Sequence, residues 1–159
     1  PLMKYNPIAE GETVPYFKTT DEKGKTFSSA DLMGKKYLLY FYPRDNTPGC
    51  IIQACGIKDE MNEFSKKNII VLGVSGGSFK SHQKFKEKYT LSFPLLMDQD
   101  HALAKSFGVW GEKKFMGRTF DGIHRTSFLI GENGLVLKTF LKVKPKLHTS
   151  LILEYIQSR

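Results

Sequence analysis

The cysteines are the residues whose type and spacing best fit chemistry. The sequence contains two, Cys50 and Cys55, which is too few for the disulfide framework of small secreted domains. Their five-residue spacing differs from the Cys-x-x-Cys pattern of dithiol redox motifs and zinc knuckles. The histidines are dispersed and show no metal-ligand spacing. The pattern therefore favours a reaction at cysteine sulfur that uses no metal and no cofactor.

Cys50 is predicted to lie in the first turn of a helix. A nearly all-apolar run at residues 36–42 predicts a buried strand, which Pro43 ends. Thr47 is a suitable N-cap and Pro48 suits the first helical position, so Cys50 becomes the third residue of the helix. Free backbone N–H groups and the positive end of the helix dipole favour a thiolate at such a position.

A thiolate alone does not make a fast catalyst. A lower thiol pKa increases the fraction of thiolate but also lowers its nucleophilicity, so the net gain in rate is small. Other groups must therefore stabilise the charge that develops on the leaving atom. The sequence offers Thr47 as a nearby hydroxyl and Arg125, which opens a second predicted strand at residues 125–130, as a cation.

The spacing of Cys50 and Cys55 has a structural consequence. In an ideal α-helix, residues five apart have Cα atoms about 8–9 Å apart and point about 140° away from each other. A disulfide rarely spans more than about 7 Å between Cα atoms. A Cys50–Cys55 disulfide therefore requires the first turns of the helix to unwind, and Gly56 lowers helix propensity at that point.

The overall pattern is that of an α/β domain. A predicted strand–helix–strand unit at residues 36–74 is followed by a hairpin and a helix at residues 127–156, with Asn-Gly at the hairpin turn. A shorter hairpin at residues 17–28 precedes them. This order predicts one thioredoxin-like domain over residues 1–159, with a mixed central sheet, helices on both faces and an N-terminal hairpin extension.

These residues resemble the peroxiredoxins, and within them the bacterioferritin-comigratory or peroxiredoxin Q branch. Pro43, Thr47 and Cys50 meet the family motif Pro-x-x-x-Thr-x-x-Cys, and Cys55 meets the branch's second cysteine five residues on. Arg125 falls where the family has its active-site arginine. Further branch landmarks extend the resemblance over nearly the whole chain, at residues 36–43, 71–75, 93–96, 108–114 and 122–130.

The resemblance implies a thiol-dependent peroxidase of the atypical two-cysteine kind. Cys50 would attack hydrogen peroxide or an organic hydroperoxide and become a sulfenic acid. Cys55 would then form an intramolecular disulfide with it, which thioredoxin or a similar dithiol reduces. Thr47 and Arg125 would hold the peroxide and the thiolate, and Pro43 would shield the pocket. The resemblance implies no metal, haem or flavin, and a monomer.

Two positions depart from the branch pattern. Ile51 stands where Thr is common, and Gln53 stands where Glu is common. Neither position supplies the nucleophile or the cation. We expect these departures to affect substrate preference and reductant docking more than the reaction itself.

Two other function classes stay open on the sequence alone. The formal net charge is +8, which would suit a non-enzymatic binding module with a basic surface. The second alternative is a protein dithiol–disulfide oxidoreductase, against which the five-residue cysteine spacing argues. Because the basic residues are scattered, we expect no nucleic-acid partner, although a basic face can attract an acidic partner protein.

The sequence also bears on compartment. No run approaches 18 consecutive apolar residues, so we expect neither a membrane span nor a membrane partner. The first residues lack the apolar core of a signal peptide, which predicts a cytoplasmic protein. The chain starts at Pro1 rather than Met, so a trimmed targeting segment is the alternative.

Overall fold

A computed structural model describes residues 2–159 as an alternation of strands and helices. In chain order the elements are β1 (Lys18–Thr20), β2 (Thr26–Ser28), β3 (Lys36–Phe41), α1 (Pro48–Asp59), α2 (Met61–Lys66), β4 (Ile69–Ser75), α3 (Phe79–Tyr89), β5 (Leu95–Met97), α4 (Ala102–Ser106), β6 (Trp110–Phe115), β7 (Arg118–Ile123), β8 (Thr126–Ile130), β9 (Val136–Leu141) and α5 (Pro145–Gln157).

The central sheet has five strands in the order β5-β4-β3-β8-β9. Strands β3, β4 and β5 run parallel, whereas β8 is antiparallel to both β3 and β9. The predicted mixed sheet is therefore confirmed. Phe41, the last residue of β3, pairs with Thr126, the first residue of β8. The loop that follows β3 and the residue that precedes β8 consequently meet at the same end of the sheet.

Helices cover both faces of the sheet, as predicted. Successive side chains of a strand point to opposite faces, so β3 contributes to two cores. Leu38 and Tyr40 pack with α1, α2, α3 and α5 in one core, and Leu39 and Phe41 pack with α4 and the N-terminal segment in the other. Helix α1 therefore lies on the same face as α3 and α5.

Four features differ from the sequence prediction or refine it. The predicted N-terminal hairpin is present as β1 and β2, with Gly24 at a positive φ of 86°. The helical pattern predicts one helix over residues 48–67, but the structure breaks it at Glu60 into α1 and α2. The pattern of residues 29–34 predicts a short helical turn stopped by Gly34, whereas these residues form turns in the structure. The hairpin of β6 and β7 was not predicted.

Among residues 2–159, none of the helices combines the length and the apolar character that crossing a membrane requires.

Candidate active site

Cys50 lies where the sequence predicted, in the first turn of α1. Thr47 is the N-cap residue in an extended conformation, and its carbonyl accepts a hydrogen bond from the Ile51 amide at 2.8 Å. Pro48 occupies the first helical position, which makes Cys50 the third. The Cys50 side chain is buried. Its sulfur is thus held at the end of the helix where backbone N–H groups lack intrahelical acceptors.

Arg125 reaches the sulfur from a different element. It directly precedes β8, the strand beside β3, and therefore lies at the end of the sheet where α1 begins. Its Nη1 donates a hydrogen bond to the Cys50 Sγ at 3.3 Å. The expectation that Arg125 meets the helix start is confirmed. The guanidinium is always charged at physiological pH, so it places a permanent positive charge beside the sulfur.

Gly49 leaves room for this arginine. A β-carbon at position 49 would lie 2.6 Å from Arg125 Nη2 and 3.2 Å from the Pro145 side chain. Real β-carbons essentially never come within 3.0 Å of another heavy atom, so a side chain at position 49 would displace the end of the flexible Arg125 side chain. The glycine of the Thr-Pro-Gly-Cys run therefore leaves the guanidinium its place beside the sulfur, a close approach that sequence reasoning did not identify.

Gln53 is the second partner of Arg125. Its side chain is 1% exposed, and its Oε1 accepts a hydrogen bond from Arg125 Nη1 at 2.9 Å. The same guanidinium nitrogen therefore contacts both Cys50 and Gln53. Because the amide is neutral, it orients the arginine without cancelling its charge. Sequence reasoning assigned position 53 to substrate preference and reductant docking, whereas this contact places it beside the cation.

Cys55 lies in the same unbroken helix as Cys50. Both thiols are free, and Cys55 is half-buried. Burial raises the pKa of Cys55, while the neighbouring Lys58 lowers it and Asp59 raises it, with a net upward shift. Cys55 is therefore a thiol rather than a thiolate near neutral pH. In this helical arrangement the two sulfurs cannot bond, because residues five apart in a helix are too far from each other for a disulfide to span.

A buried polar network fixes the loop between β3 and α1. Asp45 Oδ2 accepts from His82 Nδ1 at 2.6 Å and from Ser81 Oγ at 2.7 Å, and Asp45 Oδ1 accepts from Tyr42 Oη at 2.6 Å. Burial alone would raise the pKa of Asp45, but the bonds from His82, Tyr42 and Ser81 outweigh it and lower the pKa below its ordinary value. The carboxylate thus ties residues 42–47, the segment between β3 and α1 that we call the catalytic loop because it carries the candidate residues Pro43 and Thr47, to α3.

The two remaining predicted site residues also lie in this loop. Pro43 is half-buried and follows β3 by two residues. The Thr47 hydroxyl donates to the carbonyl of Arg44 at 3.0 Å. Thr47 therefore caps α1 through its backbone, and its hydroxyl oxygen keeps lone pairs that can accept a hydrogen bond.

A second cation and a histidine lie near Arg125. Lys113 of β6 is half-buried and donates from Nζ to the carbonyl of Ile123 at 2.8 Å. Burial, followed by the charge of Arg125, lowers the pKa of Lys113. His148 of α5 is buried, and its Nε2 lies 2.6 Å from Ser127 Oγ. Burial and the charge of Arg125 lower the pKa of His148 to about 3, so its ring is neutral at pH 7.

The site contains no evident metal centre. Across the described part of the chain, no group of three or more His, Cys, Asp or Glu side chains could hold a metal ion. The groups that the structure does bring together are a buried sulfur and a permanent cation, with a second thiol in the same helix as the first.

Comparison with known sequences places this arrangement in a family. The AhpC/TSA family matches residues 11–139. The chain is 48% identical over 153 residues to a putative peroxiredoxin Bcp of Haemophilus influenzae, covering 96% of this chain and 99% of that protein. It is 43% identical over 152 residues to the peroxiredoxin Bcp of Escherichia coli, covering 96% of this chain and 97% of that protein.

Two solved structures share the fold. A cysteine-to-serine mutant of PrxQ from Xylella fastidiosa superposes with a TM-score of 0.90 at 30% identity, covering 96% of this chain and 98% of that one. The bacterioferritin comigratory protein of Xanthomonas campestris, described for its alkyl peroxide reduction activity, superposes with a TM-score of 0.86 at 32% identity and the same coverage. The chain therefore belongs to the AhpC/TSA family and, within it, to the Bcp branch of the peroxiredoxins, which are thiol peroxidases.

Proposed function

We propose that Cys50 is the peroxidatic cysteine of this chain and that it reduces hydrogen peroxide and organic hydroperoxides. Its thiolate attacks one peroxide oxygen, the O–O bond breaks, and the other oxygen leaves with a proton as water or an alcohol. Cys50 becomes a sulfenic acid. The observation that carries this proposal is the 3.3 Å contact between Arg125 Nη1 and the Cys50 sulfur at the start of α1.

Arg125 is proposed to stabilise the charge that develops on the leaving oxygen. Its guanidinium has several donors in one plane, so one nitrogen can stay on the sulfur while another reaches the peroxide. The Thr47 hydroxyl oxygen can accept a hydrogen bond from the peroxide because its own hydrogen is used on Arg44. Pro43, half-buried in the loop between β3 and α1, is proposed to shield the reacting atoms from water.

Cys55 is proposed to resolve the sulfenic acid. Its sulfur attacks the Cys50 sulfur, water leaves, and an intramolecular disulfide forms. Both residues lie in α1, so the first turns of the helix must unwind for their sulfurs to meet. Unwinding would also expose Cys55 to water and remove the burial that raises the pKa of its thiol. The same motion therefore brings Cys55 to Cys50 and increases the fraction of Cys55 that is thiolate.

The cycle closes with a dithiol reductant, which we propose to be thioredoxin or a similar protein. The dithiol is oxidised to a disulfide as Cys50 and Cys55 return to thiols. No step requires a bound cofactor. We further propose that the protein acts as a cytoplasmic monomer, since every group assigned a role lies in one chain.

A coupled assay tests these assignments. Thioredoxin, thioredoxin reductase and NADPH are mixed with the protein and peroxide, and NADPH consumption is followed. We expect peroxide-dependent consumption that is abolished in Cys50→Ser. Cys55→Ser should undergo one oxidation event but sustain little turnover. Full thioredoxin-linked turnover in Cys55→Ser would remove Cys55 as the resolving residue, and unchanged turnover in Cys50→Ser would refute the peroxidatic assignment.

A further inference from the structure

One exposed face of α3 carries a row of positive charge. Lys80, Lys84 and Lys88 are spaced four residues apart, which places them on one side of the helix, and all three are exposed. None of the three forms a salt bridge within residues 2–159, whereas Lys86, on another side of the helix, pairs with Glu22 at 3.3 Å. We call Lys80, Lys84 and Lys88 the lysine face.

The lysine face borders a groove that reaches the catalytic loop. The groove has a volume of about 660 Å³. Asn46 forms its wall on the loop side, one residue before Thr47 and four residues before Cys50. Glu87 is the one acidic residue of the lining, so the three lysines dominate its charge.

Hydrogen bonds join the groove to the start of α1. Ser81, which lines the groove, donates from Oγ to Asp45 Oδ2 at 2.7 Å. Tyr89 Oη donates to Asn46 Oδ1 at 3.2 Å. A partner seated in the groove would therefore contact the catalytic loop directly, against a wall that the Asp45 network holds in place.

The same groove lies beside the side of α1 that carries the second cysteine. Lys58 Nζ donates to the carbonyl of Tyr89 at 2.8 Å, so this side of α1 faces the C-terminal end of α3. Ile51, Cys55 and Lys58 lie at i, i+4 and i+7 and share that side of the helix. Cys55 therefore lies on the side of α1 that faces α3, the helix that forms the groove.

We propose that the lysine face and its groove are the docking surface for the reductant, a dithiol protein with acidic residues around its dithiol. This proposal rests on the proposed function, because the reductant has a substrate only if the disulfide forms. After docking, one thiolate of the partner attacks the disulfide and forms a mixed disulfide. The partner's second thiol then displaces it, leaving two thiols on this chain and a disulfide on the partner.

Charge complementarity supports an acidic protein as the occupant. Opposite charge raises association rates, and salt reduces this effect because it screens charges that lie further apart than about 10 Å at 0.1 M. Hydrogen peroxide is uncharged and needs no such attraction. We therefore expect increasing salt to lower kcat/KM for the reductant protein and to leave kcat/KM for peroxide unchanged.

The test is a charge reversal at all three positions, Lys80→Glu, Lys84→Glu and Lys88→Glu together. A matched control reverses three cations that form no salt bridge within residues 2–159 and lie near the starts of β3 and β4 and at the end of the chain, namely Lys35→Glu, Lys67→Glu and Arg159→Glu. Each protein is assayed at low and high salt with two reductants, an acidic thioredoxin recycled by its reductase and NADPH, and the small dithiol dithiothreitol.

We expect the lysine-face variant to lose at least about tenfold in kcat/KM for thioredoxin, together with its salt dependence. Its turnover with dithiothreitol should match that of the unmodified protein. Unchanged thioredoxin kinetics in the lysine-face variant, or an equal loss in the control variant, would overturn the docking proposal. It would also be overturned if the lysine face bound duplex DNA while the charge reversal left thioredoxin turnover unaffected. Failure of the proposed function is distinguishable, since the unmodified protein would then lack peroxide turnover even with dithiothreitol.

Discussion

The side-chain oxygen of Gln53 lies 2.9 Å from Arg125 Nη1, the same nitrogen that contacts the sulfur of Cys50. Arg125 is a long side chain, and an interaction that fixes it lowers the loss of conformational entropy when it engages the reacting atoms. Gln53 is 1% exposed and therefore holds this position without competition from bulk water. We interpret Gln53 as a positioning residue that acts through Arg125.

Gln53→Ala should slow the first oxidation step. Removing an acceptor from a charged donor releases Arg125 from its position, and we expect the rate of Cys50 oxidation to fall about tenfold. Gln53→Glu restores an acceptor and should recover part of the rate. Single-turnover peroxide consumption measures both. Gln83→Ala on α3, which removes an amide bonded to the carbonyl of Glu22, serves as control. A Gln53→Ala rate equal to that of the unmodified protein would contradict the positioning role.

Gly49→Ala should separate activity from stability. The new β-carbon would lie 2.6 Å from Arg125 Nη2 and would push the guanidinium aside while Cys50 stays in place. We expect Cys50 oxidation to slow by about 10–100-fold. Alanine has the higher helix propensity, so Tm should not fall. Stopped-flow kinetics and thermal unfolding are the measurements.

The control for Gly49→Ala is the same substitution about two turns further along α1, at Gly56. In Gly56→Ala the new β-carbon would meet Thr149 Oγ1 at 2.9 Å rather than Arg125. The first oxidation step should be unaffected in this variant. Equal slowing of that step in both variants would show that the effect comes from the helix and not from displacement of the arginine.

Oxidation should unwind the first turns of α1. Because Cys50 and Cys55 lie in one intact helix when reduced, their disulfide requires the backbone hydrogen bonds there to break. Amide exchange over residues 50–58 should therefore be slow in the reduced protein and faster in the oxidised one. Exchange in α5 provides the reference. Equal protection of residues 50–58 in both redox states would count against Cys55 as the resolving residue.

His148 should make the protein less stable in acid. Its pKa is about 3 in the folded protein and about 6.5 when unfolded, so the unfolded state takes up the proton first as pH falls. The contribution of His148 to the free energy of unfolding is present in full above pH about 6.5 and is lost progressively as the pH falls towards 3. Between pH 7 and 4.5 this amounts to about 2–3 kcal/mol.

Urea unfolding at pH 7 and pH 4.5 measures this contribution. Other groups titrate over the same range, so the comparison is with His148→Gln, which can still hydrogen-bond Ser127 but does not titrate. The variant should lose about 2–3 kcal/mol less than the unmodified protein between the two pH values. Identical losses in the two proteins would show that His148 does not bind its proton as the structure indicates.

The predictable parts of the fold are those that local pattern determines. The apolar run of β3 and the Thr47-Pro48 helix start depend on neighbouring residues, and the structure confirms both. The hairpin of β6 and β7 was missed because its strands are polar and largely exposed, so no alternation of buried residues marks it. Its turn at Met116 and Gly117, both at positive φ, is not one of the strong hairpin dipeptides.

The site was predictable to a similar extent. Cys50, Thr47 and Arg125 follow from helix-start chemistry and from the resemblance, and the structure brings Cys50 and Arg125 into contact. The roles of Gln53 and Gly49 depend on how closely a residue 72 or more positions away in the sequence approaches α1. Local patterns hold no information on such a distance. The departure of Gln53 from the branch pattern was the only available signal.

Intact-protein mass spectrometry after one equivalent of peroxide tests directly whether Cys50 is the sulfur that reacts. The unmodified protein should lose two hydrogens, the signature of a Cys50–Cys55 disulfide, and Cys55→Ser should gain one oxygen, the signature of a sulfenic acid on Cys50. Cys50→Ser should remain unchanged. Oxidation of Cys50→Ser at the rate of the unmodified protein would contradict the claim that the sulfur beside Arg125 is the one that reacts.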